Sequence, residues 1–215
     1  MCNGHHADYA LFAGLSGIAM ATPAWTTGTY AWADWQPLDN NILLGLVPVK
    51  SGTTTWTWNT PADNVTNGKL EDEATDTKIL GVRDGTVLTW AFDEAKDIAR
   101  IRITSQDNYL SNWNGHAYDA ITVTAIEVLP FGAGEWVSLG PAVAWMGPSA
   151  INYVQGINLY ATLEDSDGGI LAQGVGGLRL TFGAPKRNIF NYCAEIEAAG
   201  PALEDPPEGV VFTVE

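Results

Sequence analysis

Between Asp107 and His116 the chain reads "DNYLSNWNGH", which gathers Asn108, Tyr109, Asn112, Trp113 and His116 in one short stretch. Sugars present C–H faces that lie against aromatic rings, and hydroxyls that pair with planar amides and imidazoles. The stretch therefore holds the side chains of a carbohydrate site. It fits a second role equally well, in which Trp113 plugs the core and the asparagines satisfy the backbone of turns. A smaller patch, "APKRNIFNY" (184–192), puts Lys186, Arg187 and Asn188 together, using two of the ten basic residues. It is either an anchor for hydroxyls or carboxylates, or a charged guard on a strand edge. Trp145, in "AWMGPS", is a third aromatic candidate or a core residue.

No catalytic constellation stands out. The three histidines are His5, His6 and His116, and the first two belong to the N-terminal stretch. G-x-S-x-G, H-E-x-x-H, a Walker loop and paired-cysteine zinc spacing are all absent. Carboxylates are plentiful enough for the acid and base of a glycosidase, but nothing marks one pair above another. The Gly-rich pieces "GVGG" (174–177) and "FGAGEW" (131–136) lack the following helix that a phosphate-cradling loop needs, so they read as hairpin turns. "NVT" at Asn64 matches a glycosylation sequon at chance level.

Acidic residues outnumber basic ones 25 to 10 across 215 residues, for a net charge of −15. Phosphate backbones and anionic membrane surfaces are repelled by such a chain, which excludes nucleic acid as a partner. The charge reads either as a solvated surface or as divalent-cation binding. Charged residues make up only 16%, against 46% hydrophobic, with 23 Gly and 9 Trp. That is the balance of short strands and many turns. Cys2 and Cys193 close one long loop if oxidised, or remain two thiols if not. No stretch has the run of about 18 apolar residues that a membrane span requires. "YALFAGLSGIAMATPA" (9–24) resembles the apolar part of a signal peptide, but no Lys or Arg precedes it. It is read as part of the folded object.

Strand-like runs recur from Asn40 onward: "TTTWTWNT", "TVLTWAF", "IARIRIT", "ITVTAIEVL", "EWVSLG", "INLYATL", "GLRLTF" and "CAEIEAAG". They predict an all-β protein, an antiparallel two-sheet jelly-roll sandwich with an extended N-terminal arm. The expected division is an apolar arm over 1–38, the sandwich over 39–203 and an acidic, Pro-containing tail over 204–215. Period-two placement predicts that Trp56 or Trp58, Trp90, Ile101, Ile103, Val123, Leu178 and Leu180 are core. The arm carries Trp25, Trp32 and Trp35, more apolar area than a free linker leaves in water. It must pack on its own domain or on a neighbour, the latter giving a homo-oligomer through residues 1–38.

Taken in order, these runs resemble the discoidin-type, galactose-binding-like domain of coagulation-factor type C modules. "ADNVTNG" is similar to that family's N-x-x-D-G turn, "GTVLTWAFDEAKDIARIRI" to its central strand pair, and "ITVTAIEVLPFGAGEWVSLG" to its hairpin. "GVGGLRLTFG" and "NYCAEIEAAG" resemble its last two strands. The resemblance implies a noncatalytic, secreted or cell-surface module that binds a glycan or surface polysaccharide through loops at one end of the sandwich. In calcium-binding members the Asp of the D-G turn is a ligand, and here Asn67 stands in that place, followed by Gly68 and Lys69. An amide beside an ammonium weakens a site that wants several hard oxygens. Asp72 of "EDEATD" and Glu195 of the last strand are the carboxylates that would restore structural calcium; otherwise the first lies in a solvated turn and the second is an exposed strand residue. The alternative to a glycan-binding module is a structural subunit of a surface assembly or filament, with the arm making the subunit contacts.

Overall fold

A computed structural model describes residues 21–31, 34–53, 56–57, 65–68, 80–105, 120–146, 157–184 and 191–202. Among them are twelve strands: β1 (Pro23–Ala31), β2 (Val49–Gly52), β3 (Trp56–Thr57), β4 (Leu80–Val82), β5 (Thr86–Ile98), β6 (Arg100–Ser105), β7 (Ala120–Pro130), β8 (Val137–Gly140), β9 (Val143–Met146), β10 (Ile157–Asp165), β11 (Ala172–Phe182) and β12 (Asn191–Ala199). They form two antiparallel sheets. The first runs β1-β10-β6-β12-β4-β3; the second runs β2-β5-β11-β7-β8, with β9 also pairing β7. The protein is an all-β sandwich.

Alternation explains which face each strand buries. In β5, Leu88, Trp90 and Phe92 point inward; in β6, Ile101 and Ile103 do; in β11, Leu178, Leu180 and Phe182 do. These side chains join Val123, Ile126, Leu163 and Ile196 in one core between the sheets. The expected core residues Trp90, Ile101, Ile103, Val123, Leu178 and Leu180 are all buried there. Trp56 lies in β3 with its side chain undescribed, and Trp58 falls outside the described residues.

Register shifts interrupt the pairing at several places, and two of them bear on the side chains discussed below. On β7, Thr181 pairs with Ala125 but Phe182 pairs with Val123, so Thr124 is an extra residue. The inward set therefore changes phase, from Ile121 and Val123 to Ile126 and Val128. A second shift lies between Cys193 and Glu195 on β12. Such bulges re-aim the side chains that follow them. The residues between the runs "TVLTWAF" and "IARIRIT" are themselves strand: β5 continues to Ile98, and the chain passes to the other sheet at Ala99.

The expected arm is a structural part of this sandwich where it is described. From Pro23↔Asp165 to Ala31↔Ile157, β1 pairs with β10 without a register shift, and Trp25 donates its indole N–H to Pro141 O at 2.7 Å. Beyond β1, the chain returns to the end of β12 and pairs with it at Asn41↔Ala199: Ile42 N–H donates to Ala198 O at 2.8 Å, and Gly200 N–H to Asn40 O at 3.0 Å. The sandwich thus begins before residue 39, because strand pairing satisfies the backbone of a segment whose composition looked merely adhesive. Residues 1–20 and 203–215 lie outside the described residues. Cys193 is a free thiol in the core, and burial pushes its pKa up to about 12.

Candidate ligand-binding site

Both candidate ligand segments are tethered by the same four strands. In the first sheet Ser105, the last residue of β6, lies opposite Cys193 near the start of β12. In the second sheet Gly183, just past β11, donates its N–H to Thr122 O on β7 at 3.0 Å. Residues 106–119 run from β6 to β7, and 185–190 run from β11 to β12, so both segments leave and re-enter between neighbouring strands at one end. Asn108, Tyr109, Asn112, Trp113, His116, Arg187 and Asn188 belong to these segments and lie outside the described residues. Trp145, on β9, is half-buried.

Close to that end is a buried carboxylate. Glu195 follows the β12 bulge, faces away from the sheet interior and is nevertheless fully buried, which corrects its reading as an exposed strand residue. Gly68, at φ 73°, belongs to the turn that covers it, and its N–H donates to Glu195 Oε1 at 2.8 Å. Burial pushes the Glu195 pKa up to about 8; the N–H groups of Gly68 and Asn67 and the charge of Arg102 oppose that rise, while the nearby Glu197 carboxylate adds to it. Among the described residues Glu195 Oε2 has no hydrogen-bond partner. Asn67 and Glu195 are thus brought together, whereas Asp72 lies outside the described residues. A buried carboxylate oxygen without a donor suits a hard cation, which takes oxygen ligands. No three His, Cys, Asp or Glu side chains gather as a metal cluster among the described residues.

Two residues further along β12, Glu197 is also fully buried and engages Arg102 of β6, with Oε2 2.6 Å from Arg102 Nη2 and 2.7 Å from Nε. Leu38 N–H donates to its other oxygen at 2.7 Å, and Arg102 reaches Gln36 O at 2.6 Å. Burial raises the Glu197 pKa, with Arg102 and the Leu38 N–H pulling it back. Sequence reasoning missed this cluster because "RIRIT" and "AEIEA" look like ordinary half-exposed strands. The available signal was that Glu195 and Glu197 share one face of β12, while the apolar segment before residue 48 needed a surface to cover.

No protein-family model matches the sequence, and no curated protein does. Two solved structures are similar in shape. One is a Clostridium perfringens carbohydrate-binding module, GH89 CBM32-4, in complex with GlcNAc-α-1,4-galactose: 13% identity, TM-score 0.43, covering 75% of this chain and 95% of that one. The other is an F5/8 type C domain from Bacteroides fragilis: 16% identity, TM-score 0.38, covering 72% of this chain and 95% of that one.

Proposed function

We propose that this chain is a noncatalytic, secreted or cell-surface binding module whose ligand is a glycan or surface polysaccharide. Its ligand residues are Asn108, Tyr109, Asn112, Trp113, His116, Arg187 and Asn188. The observation that carries the reading is the convergence of strand ends: Ser105 beside Cys193 in one sheet and Thr122 beside Gly183 in the other root both candidate segments at one end. The two segments together supply the aromatic, amide and basic residue types that sugar recognition requires. Glu195, Asn67 and Asp72 are the residues that would hold a calcium ion, and such an ion would supply the positive charge that the buried Glu195 carboxylate lacks. A glycan array supplies the test, with GlcNAc-α-1,4-galactose among its ligands. Trp113→Ala is expected to lose the wild-type signal while unfolding within a few degrees of the wild type. A drop in stability of about 3–5 kcal/mol with binding retained makes Trp113 a core plug and removes the proposed site.

One observation favours a second reading, a subunit of a surface assembly. Among the described residues β1 is an edge strand, and "PAWTTGTYA" carries no charged residue and no bulge over its nine residues. Edges without such protection accept another strand. Sedimentation velocity on the full chain is expected to show self-association that Thr27→Lys abolishes; a monomer at high concentration excludes this reading.

A further inference from the structure

We infer that the outer face of the first sheet carries a second saccharide site, separate from the loop end. A polar hollow of about 320 Å³ lies over β1, β10 and β6, lined in part by Thr26, Arg100, Arg102, Tyr160, Thr162 and Glu164. That volume is at the small end of ligand sites, which run from about 300 Å³ upward. Its shape follows from the register. Thr162, small and buried, sits opposite Thr26 on one side and Arg102 on the other, so the middle of the face is low. Tyr160 and Glu164 rise at either end of it, two residues away on the same face of β10.

Gly28 is the residue that lets Tyr160 lie down. It stands opposite Tyr160 on β1, and a Cβ there would come within 2.6 Å of the Tyr160 hydroxyl and 2.8 Å of its ring. With no side chain at this position, the ring leans across β1 and keeps part of its surface in solvent. Around it stand the two kinds of group that a sugar needs. Arg100 is an exposed donor and Glu164 a half-exposed acceptor; they are register partners, yet no ion pair joins them among the described residues. Arg102 is held in place by Glu197 and Gln36. An aromatic surface flanked by a free guanidinium, a free carboxylate and threonine hydroxyls matches a pyranose, with C–H groups on the ring and hydroxyls at the charged ends. Phosphate is disfavoured by Glu164 and by the net charge of −15, and the polar walls suit no apolar ligand.

The ligand class rests on the carbohydrate-binding reading, but the residues are different, so the two sites can fail separately. Amide chemical shifts of the full chain are followed while N-acetylglucosamine, galactose and glucuronic acid are each titrated to high millimolar concentration. With at least one of them, Gly28, Arg102, Tyr160 and Thr162 are expected to shift along a saturable curve. Arg100→Ala and Tyr160→Ala should each weaken that curve tenfold or more, and Trp113→Ala should leave it unchanged. If Tyr160→Ala unfolds, Arg100→Ala carries the test. Absence of saturable shifts on these strands with all three sugars overturns the second site, as does an unchanged curve in Arg100→Ala. Shifts confined to 106–119 and 185–190 overturn it while leaving the end site standing; shifts confined to the strands do the reverse.

Discussion

Glu195 should make the metal-free protein less stable as pH rises through neutrality. Its carboxyl ionises near 4.5 when solvated and near 8 when buried in the fold. Between those values the folded chain keeps a proton that the unfolded chain has released. Stability then falls with rising pH, because the unfolded state binds fewer protons. Each pH step inside the window costs about 1.4 kcal/mol, so raising pH from about 5 to about 7.5 removes on the order of 3 kcal/mol. For a chain of this length that corresponds to a loss of roughly 6–12 °C in melting temperature. Glu197 has the same sign of shift, so the wild type alone does not isolate the effect. Glu195→Gln does, since an amide oxygen still accepts the Gly68 N–H and carries no titratable proton.

The assay is urea unfolding in EDTA, followed by tryptophan fluorescence, across that pH range for both proteins. The wild type should lose about 3 kcal/mol relative to Glu195→Gln. Parallel pH profiles would refute the assignment of a raised pKa to Glu195. Adding calcium at the upper pH should restore the wild type and leave the variant unmoved, since only a ligand that prefers the folded state stabilises it. No response to calcium in either protein removes the cation from the proposal while leaving the titration argument intact.

Two further outcomes follow from the packing. Arg102→Ala strands the fully buried Glu197 and should cost about 3–5 kcal/mol, whereas the double variant Arg102→Met/Glu197→Met should recover most of it; equal losses in both mean that the pair adds nothing beyond packing. Trp90→Ala should cost about 3–5 kcal/mol in urea unfolding, and Trp90→Phe much less, because the Trp90 indole N–H has no hydrogen-bond partner among the described residues; similar losses in the two variants refute that account.

The sandwich was legible because burial imposes period two on strands, and Trp90, Ile101, Ile103, Leu178 and Leu180 display that period without interruption. Bulges were illegible: "ITVTAIEV" reads as one alternating strand, and only the pairing of Thr181 with Ala125 and Phe182 with Val123 reveals the extra Thr124. Edge pairing was illegible for a related reason. β1 belongs to the sheet through backbone hydrogen bonds to β10, which leave no trace in side-chain pattern, so composition alone suggested an arm. The chemistry of single loops was visible, since aromatic and amide types declare themselves in "SNWNGH". The buried carboxylates were not, because whether they meet water depends on segments far away in sequence, the Asn67–Gly68 turn at Glu195 and the chain at Leu38 for Glu197.

Strand β12 connects the carboxylates to the ligand end. Glu195 follows the bulge that begins at Cys193, and Cys193 lies opposite Ser105, the last residue before 106–119. Its backbone register therefore fixes where both 106–119 and 185–190 are rooted. On one side Glu195 holds the Asn67–Gly68 turn; on the other, Glu197 holds Arg102 and Leu38. A proton or a cation at Glu195 changes a charge in a buried layer where water does not screen it. The strand that carries this charge is the one into which 185–190 leads, and it lies beside β6, from which 106–119 departs. Ligand affinity at the loop end should accordingly follow the same pH window as stability. In Glu195→Gln that dependence should be lost even though no ligand contact has been removed.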